Sequence, residues 1–256
     1  MAERLQVVLA RAGVASRHQA EKLICDGRVM VNGQVVRKPG TQVVWGQDAI
    51  RVDNRLVCRL EPKVTIVLNK PKQVLTSLHD PRGRRTTAEL VRRIKARIFP
   101  VGRLDYHTEG LLILTNDGEL AQHLQHPRYG IPKTYQTKVK GLPTAQALQH
   151  LKSGVMLDGR RTAQARVKKI GTTGKNTWLE ITIKEGRNRQ IRRMCSAVGY
   201  PVLKLKRTRY GPIRLGNLKP GIYRNLTPAE MEKLQKYTPN PGKPEKLKAE
   251  SSKQEK

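Results

Sequence analysis

The chain has 256 residues, 37% of them hydrophobic, which is enough for one large domain or two smaller ones. It carries 51 Lys and Arg against 20 Asp and Glu, a formal net charge of +31, and such a charge attracts polyanions, of which nucleic acid is the leading class. A membrane surface is the alternative partner, but the sequence has no apolar run of the ~18 residues that cross a bilayer and no signal-peptide core at its N-terminus.

The three cysteines predict reduced thiols in the core rather than a metal site. Cys25, Cys58 and Cys195 are far apart and show neither CxxC nor zinc-ligand spacing. His123 and His126 lack further matching ligands, and we interpret them as surface or packing residues. We therefore expect no bound metal and a cytoplasmic location.

Residues 1–60 predict a small α/β module. Apolar residues recur at helical spacing in two successive stretches, and Ser16 with Gln19 fits a capping box at the start of the second helix. Valines on both sides of Asn32-Gly33 then predict a β-hairpin. Basic residues lie on or beside the two helices, which indicates either a solvated face or a surface for an anionic partner.

Residues 10–33 carry a recognisable string, A-R-A-G-V-A-S-R-H-Q-A-E-K-L-I-C-D-G-R-V-M-V-N-G. It resembles the S4 domain, a small RNA-binding fold that lays such a helix pair on structured RNA. The resemblance implies that this module docks RNA without doing chemistry. It also implies substrate contacts for Arg17, Lys22 and Arg28.

A linker and a basic segment precede the central motif. Residues 55–62 are predicted to be the linker, and residues 64–68 a strand. Residues 80–97 then hold seven Arg and Lys against Asp80 and Glu89. Such a run is either a solvated face or a surface that contacts phosphates.

Residues 102–118, G-R-L-D-Y-H-T-E-G-L-L-I-L-T-N-D-G, are the most informative stretch. The apolar run after Gly110 fits a buried strand that ends in turn residues, so Asp105 lies on a loop just before an anchored strand. Spacing alone also fits a surface carboxylate beside a glycine turn. The whole string resembles the catalytic motif of the RsuA/RluB/RluE/RluF family of pseudouridine synthases, which modify ribosomal RNA. In that family the Asp of G-R-L-D is the essential catalytic carboxylate, which implies this role for Asp105.

Two later stretches resemble further motifs of the same family. K-T-Y opens an alternating strand, and the family packs the Tyr of K-x-Y against the target uracil, here Tyr135. Residues 185–194, E-G-R-N-R-Q-I-R-R-M, lead into an amphipathic helix, and the family pairs the basic residue after Q-[IVL] with the catalytic Asp. The resemblance thus implies an Arg192–Asp105 pair. Without the resemblance, Tyr135 would be interpreted as a packing residue, and residues 185–194 as a helix with a phosphate-binding face.

The resemblance assigns further substrate contacts. Leu205 matches the apolar position that the family packs near the target base, and Arg103 and Arg189 are expected to contact the substrate. Residues 205–221 resemble the RluB-like subgroup most. One position departs from the family: it often has K-P-x-G where this chain has Gln73 in place of the glycine, which predicts a changed turn.

The remaining pattern predicts an α+β fold. Alternating segments at 163–170 and 177–184 predict further strands, and Thr227-Pro228 begins a final helix. The resemblance implies that the strands of the catalytic domain form a mixed, mainly antiparallel sheet. We expect an S4-like RNA-binding domain over residues 1–60 and a pseudouridine synthase catalytic domain over 61–237. Residues 238–256, rich in Pro, Lys, Glu and Ser, are predicted to be a disordered basic tail.

Pseudouridine formation breaks the N-glycosidic bond of a uridine, turns the uracil and rejoins it through C5. This needs no redox change, phosphate energy or metal, and the sequence has neither a Walker A loop nor GxGxxG after a strand. We therefore expect an isomerase without a cofactor. The resemblance implies that its substrate is a uridine in large-subunit ribosomal RNA, and we expect the protein to act as a monomer. The alternatives are the same chemistry on small-subunit ribosomal RNA or another RNA, and a non-catalytic RNA-binding protein of ribosome assembly.

Overall fold

The computed structural model describes residues 1–236. The helices are α1 (Leu5–Arg11), α2 (Arg17–Cys25), α3 (Thr87–Leu90), α4 (Gly118–Gln125), α5 (Ala145–Ser153), α6 (Gln190–Ala197) and α7 (Pro228–Gln235), with a 3-10 turn at Pro127–Tyr129. The first strands are β1 (Glu3–Arg4), β2 (Val29–Val31), β3 (Gln34–Val36), β4 (Gln42–Val43), β5 (Ile50–Val52), β6 (Arg55–Leu56), β7 (Thr65–Lys70) and β8 (Phe99–Pro100). The later strands are β9 (Glu109–Thr115), β10 (Lys133–Lys140), β11 (Met156–Leu157), β12 (Arg160–Arg161), β13 (Arg166–Thr173), β14 (Asn176–Ile183), β15 (Val202–Tyr210), β16 (Ile213–Arg214) and β17 (Tyr223–Asn225).

The N-terminal helices share an apolar cluster with a small sheet in the order β3-β2-β5-β6. The predicted capping box is present, because the Gln19 amide donates to Ser16 Oγ and the Ser16 amide donates to Gln19 Oε1, both at 3.1 Å. The predicted hairpin joins β2 to β3, and Asn32 and Gly33 both have positive φ, 50° and 82°, as a two-residue turn requires.

The linker prediction was wrong at its start. Residues 55–56 form β6, which pairs with β5, and Val57 and Leu60 pack against the N-terminal cluster. The cause is a tight reversal at Asp53 and Asn54, whose φ angles of 47° and 62° turn the chain back along β5. The N-terminal unit therefore reaches further along the chain than its turn residues indicate.

A larger sheet forms the body of the protein, while β1 with β4 and β11 with β12 form two separate two-stranded sheets. Its strands follow the order β13-β14-β10-β15-β9-β7-β17, with β16 paired to β15 and β8 to β9. Every pair is antiparallel except β9 with β15, which is parallel. A mixed, mainly antiparallel sheet with a small α/β unit before it confirms the predicted α+β fold.

Two apolar clusters cover the two faces of this sheet. One joins alternate residues of β7, β9, β10 and β14 to α5 and α6, and the other joins the opposite faces of β7 and β9 to α4 and α7. The run Leu111–Leu114 is fully buried because successive side chains enter different clusters. The strand after Asp105 is thus anchored from both sides, as its sequence predicts.

The end of the described chain matches its turn chemistry. In α7 the Glu230 amide donates to Thr227 Oγ1 at 3.2 Å and the Thr227 amide donates to Glu230 Oε2 at 3.0 Å, so the predicted capping box is present. The predicted tail at 238–256 lies outside the described residues. No helix within residues 1–236 is long and apolar enough to cross a membrane.

Candidate active site

A cavity of about 280 Å³ opens between the loop before β9, strands β10 and β15, and the segment that leads into α6. Its volume is just below the ~300–1,000 Å³ range of small-ligand pockets, which suits a group as small as a single nucleobase. The sequence-predicted residues that line it are Arg103, Asp105, Tyr135, Arg189 and Leu205. Residues from four separate parts of the chain therefore meet at one site.

Asp105 lies half-buried on a loop that is fixed at its base. Thr76 Oγ1 accepts from the Leu104 amide at 3.2 Å and donates to the Leu104 carbonyl at 2.8 Å, and the Thr108 amide donates to the Asp105 carbonyl at 3.0 Å. The carboxylate itself accepts no hydrogen bond and forms no ion pair with any of residues 1–236. It is thus held in place by its backbone and is open to a ligand.

Lys70 places a buried cation beneath this loop. Its side chain has no exposed surface, and Nζ donates to the carbonyls of Pro71 and Thr108, both at 2.9 Å. Burial lowers the pKa of Lys70 to about 8, against the charges of Asp105 and Glu109, which raise it. Sequence reasoning missed this residue, although a Lys at the end of an apolar strand indicates that its charge is buried.

The turn after Lys70 contains a non-glycine residue in a left-handed conformation. Gln73 has a φ of 59°, in the left-handed region that favours glycine, and its amide donates to the Tyr106 carbonyl at 2.8 Å. Gln73 thus adopts a backbone conformation in which glycine is favoured, and its hydrogen bond ties the turn to the loop of Asp105.

Tyr135 and Leu205 form the apolar wall of the cavity. They lie on the adjacent strands β10 and β15, with exposures of 9% and 4%. Ile183 and Ile191 complete this wall. A ring next to branched side chains offers a flat surface on which a base can stack.

Arg192 is close to Asp105 but does not pair with it as the resemblance implied. Its Nη2 donates to the His107 carbonyl at 3.1 Å, and its Nη1 donates to the Val202 carbonyl at 3.5 Å. The reason is its place on α6, from which the guanidinium reaches the main chain of the loop. Burial lowers the pKa of Arg192 most, and the positive charge of Arg189 lowers it further. The negative charge of Asp105 raises the pKa of Arg192, so Arg192 and Asp105 interact electrostatically without forming an ion pair.

Arg103 and Arg189 lie at the rim of the cavity. Both side chains are exposed, and neither forms an ion pair with a described residue. Arg189 precedes α6 in a left-handed conformation, with a φ of 48°. Two cations at the mouth of a pocket are suited to the phosphates on either side of an inserted base.

The predicted contacts in the N-terminal unit lie away from the cavity. Arg17 and Lys22 are exposed on α2, and the Arg17 guanidinium lies 2.8 Å from the position that a Cβ would take on Gly118, at the start of α4. Arg28 forms a two-bond ion pair with Asp53, with Nε–Oδ1 at 2.8 Å and Nη2–Oδ2 at 2.5 Å. Its charge is therefore already matched within the unit, in contrast to Arg17 and Lys22.

Sequence reasoning missed three further residues that line the cavity, Lys133, Arg207 and Tyr210. Arg207 on β15 is 2% exposed, and Lys133 on β10 is half-buried. Both cations lie over the ring of Tyr210, with the Arg207 Cζ at 5.0 Å and the Lys133 Nζ at 5.4 Å from its centroid. The available signal was periodicity, since Arg207 follows Leu205 by two residues on the inward face of a strand.

Comparisons with known proteins agree with this geometry. The family model described as RNA pseudouridylate synthase matches residues 64–197, and the S4 domain model matches residues 3–50. Ribosomal large subunit pseudouridine synthase B of Bacillus subtilis is 47% identical over 234 residues, 91% of this chain and 95% of that protein. The protein of the same name from Pseudomonas aeruginosa is 39% identical over 91% of this chain and 61% of its own length.

A solved structure shows the same fold. The crystal structure of a pseudouridylate synthase superposes with a TM-score of 0.65 at 29% identity, over 90% of this chain and 99% of that one. The chain therefore belongs to the RNA pseudouridine synthase family and carries an S4 domain at its N-terminus. Within that family it is RluB-like, and its activity is the isomerisation of uridine to pseudouridine in RNA.

Proposed function

We propose that this enzyme converts one uridine of large-subunit (23S) ribosomal RNA to pseudouridine, with Asp105 as the catalytic carboxylate. The observation that carries the proposal is the carboxylate of Asp105, which has no hydrogen-bond or ion-pair partner within residues 1–236 and lines the same small cavity as Tyr135 and Leu205. The substrate follows the printed name of the relative that is 47% identical over 91% of the chain. The fold alone would not distinguish one RNA from another.

Tyr135 and Leu205 hold the base after it leaves the RNA stack. Unstacking costs a few kcal/mol, and stacking on an aromatic ring returns ~1–3 kcal/mol per base. Because both residues are nearly buried, the base is shielded from water while it is detached from the sugar. Asp105 acts on the sugar at the open side of this wall.

The cations around Asp105 position it and the RNA chain. Arg192 holds the loop through the His107 carbonyl and adds positive charge near the carboxylate. Arg103 and Arg189 at the rim bind the phosphates beside the inserted base. The exposed arginines of residues 80–97 extend this surface, although Arg84 is partly neutralised by Asp80, to which its Nη2 donates at 2.8 Å.

The N-terminal unit anchors structured RNA through Arg17 and Lys22, with a smaller contribution from Arg28 because Asp53 neutralises it. We place the S4-like domain at residues 1–60 and the catalytic domain at 61–237. The enzyme acts as a monomer in the cytoplasm, where ribosomal RNA is made. It needs no metal or cofactor, because the isomerisation leaves oxidation state and composition unchanged.

Pseudouridine mapping of total RNA tests the proposal. Cells that lack this protein should lose one pseudouridine in large-subunit ribosomal RNA and regain it when the wild-type protein is returned. Loss of a position in small-subunit or another RNA would move the substrate but keep the chemistry. If no position is lost, the protein only binds RNA and the proposal is wrong.

Asp105→Asn should abolish the isomerisation without unfolding the protein. Because the carboxylate makes no hydrogen bond or ion pair with residues 1–236, the amide should be accommodated without loss of a contact. We expect the single-turnover rate to fall by at least ~10³-fold and the dissociation constant for RNA to change by less than about threefold. Loss of folding and RNA binding together would instead indicate a structural Asp.

A further inference from the structure

Arg207 has a hydrogen-bond donor that no group of residues 1–236 satisfies. The residue lines the catalytic cavity with 2% of its surface exposed, and its Nε donates to the Leu111 carbonyl at 2.7 Å. Its Nη2 is buried and has no hydrogen-bond partner in the part of the chain that the structure describes. A charged donor that is removed from water without a partner is costly, so this nitrogen is expected to meet an acceptor on a ligand.

The charges around Arg207 leave this end of the cavity positive. Lys133 lies beside it over the same tyrosine ring, and burial together with the charge of Arg207 lowers the pKa of Lys133 to about 8. The cavity has two carboxylates, Asp105 and Glu185. Glu185 is occupied by the Ala163 amide, Gln190 and Arg187, so it does not neutralise the pair.

The reaction produces negative charge on the base. When the bond between N1 and C1′ breaks, its electron pair stays on the uracil and spreads over the oxygens O2 and O4. Rejoining forms the bond from C5 to C1′, C5 loses its proton, and N1 gains one, so composition is unchanged. A donor that bonds to O2 or O4 more strongly in the anion lowers the barrier to the first step.

Depth distinguishes the base from the phosphates as the group that reaches Arg207. The RNA chain continues on both sides of the target nucleotide, so its phosphates must stay near the mouth, where Arg103 and Arg189 are exposed. Arg207 lines the cavity with only 2% of its surface exposed, so a ligand group must be fully inserted to reach its guanidinium. In a flipped nucleotide that group is the base.

We propose that Arg207 is a further catalytic residue, whose Nη2 donates a hydrogen bond to a carbonyl oxygen of the uracil and stabilises the charge that develops there as the glycosidic bond breaks. Lys133 adds to the positive field at the same end of the cavity. This inference rests on the proposed isomerisation of a uridine in large-subunit ribosomal RNA.

Single-turnover kinetics with the full chain test the role. The substrate is a fragment of large-subunit ribosomal RNA that contains the target uridine. Arg207→Met should bind this RNA with a dissociation constant within about threefold of wild type and form pseudouridine ~10²–10³-fold more slowly. Arg209→Met is the matched control, because Arg209 is exposed on the same strand and does not line the cavity. Its single-turnover rate should equal that of wild type.

Substrates with sulfur in place of one base oxygen locate the contact. Sulfur accepts a hydrogen bond more weakly than oxygen and disperses negative charge itself, so Arg207 should matter less when it replaces the contacted oxygen. The single-turnover rate of wild type divided by that of Arg207→Met is measured on RNA with uridine, 2-thiouridine or 4-thiouridine at the target position. One of the two thiouridine RNAs should give a ratio about tenfold smaller than the uridine RNA. If the melting temperature of Arg207→Met is far below that of wild type, the same rate ratios are measured with Arg207→Lys instead.

Three outcomes separate the inference from the proposed function. No pseudouridine from the wild-type protein on this RNA means that the proposed function has failed. An active wild-type protein with an equally fast Met variant overturns the role of Arg207 alone. A loss confined to the dissociation constant, or a rate ratio that is the same for all three RNAs, would assign Arg207 to a phosphate and also overturn it.

Discussion

Lys70 shows how one side chain can shape the site without touching the substrate. It is a lysine with no exposed surface at the end of an apolar strand, and its ammonium group is held by two carbonyls, one of them on the loop of Asp105. The nearby charges of Asp105 and Glu109 favour the ammonium form, but the loss of hydration outweighs them and lowers its pKa to about 8. The buried charge therefore has a cost in stability that depends on pH.

The prediction for Lys70 has a definite sign. The folded-state pKa of about 8 lies below the unfolded value of 10.5, so between these pH values the unfolded chain keeps a proton that the folded chain has lost. The free energy of unfolding of wild type minus that of Lys70→Met should therefore rise with pH across this window, by ~3 kcal/mol in total. Urea denaturation at a series of pH values measures it. Lys72→Met, at an exposed lysine of the same turn, is the control and should give a flat difference.

Substitutions of Arg192 can distinguish the contribution of its positive charge to activity from that of its hydrogen bond. If its positive charge near Asp105 is what matters, Arg192→Lys should keep most of the activity, whereas Arg192→Gln, which keeps donors without charge, should lose ~10²-fold or more in single-turnover rate. RNA affinity and melting temperature should change little in both. Equal activity of the two variants would show instead that the hydrogen bond to the His107 carbonyl is the whole contribution.

The sequence predicts some of these residues and not others for a physical reason. Asp105 and Tyr135 lie within short contiguous strings that resemble motifs of the family, and without that resemblance their spacing leaves other interpretations open. The environment of Arg207 depends on a hydrogen bond to Leu111, 96 residues earlier in the chain. No local pattern encodes such a contact, and the same is true of the reach of Arg192 to the loop. Burial of a charge becomes visible only once strand order is known.

At the level of elements, the parallel pairing of β9 with β15 organises the site. It places the loop of Asp105, which precedes β9, beside Leu205 and Arg207 on β15. Gly110 makes this approach possible, because a Cβ built on it would lie 2.2 Å from the Arg207 carbonyl oxygen and 2.7 Å from its amide nitrogen. Its φ of +108° is also one that other residues rarely adopt. The sequence predicts the buried strand but not the neighbour that requires this glycine.

Gly110→Ala should therefore damage both stability and activity. Backbone strain and overpacking each cost ~1–3 kcal/mol, so we expect a loss of ~2–6 kcal/mol in the free energy of unfolding. Gly171→Ala is the control, since Gly171 lies in β13 with open space around it and without a positive φ. A thermal unfolding curve for Gly110→Ala that matches wild type would show that β15 can move away from β9 without cost.

On the scale of the whole molecule, the S4 unit is held against the catalytic body by polar contacts. The Glu61 amide donates to the Arg11 carbonyl at 2.9 Å, and Glu61 Oε2 accepts from the Arg97 amide at 3.1 Å. Arg97 Nη2 also donates to Gln19 Oε1 at 3.2 Å. These bonds set α2 beside the start of α4, so the basic face of α2 continues into the surface of the body. One structured RNA can then contact both parts at once.

Arg17 and Lys22 should therefore contribute to RNA affinity and not to the chemical step. Each phosphate contact that is lost reduces the slope of log K against log salt by ~0.7–0.9, so Arg17→Ala with Lys22→Ala should lower it by about 1–2. The rate at saturating RNA should stay at the wild-type value, because neither side chain lines the cavity. Arg28→Ala should change the slope less, since Asp53 already neutralises that guanidinium. Binding isotherms at four salt concentrations give the slopes, and an unchanged slope in the double variant, or a fall in its saturated rate, would contradict this division of labour between the two parts of the chain.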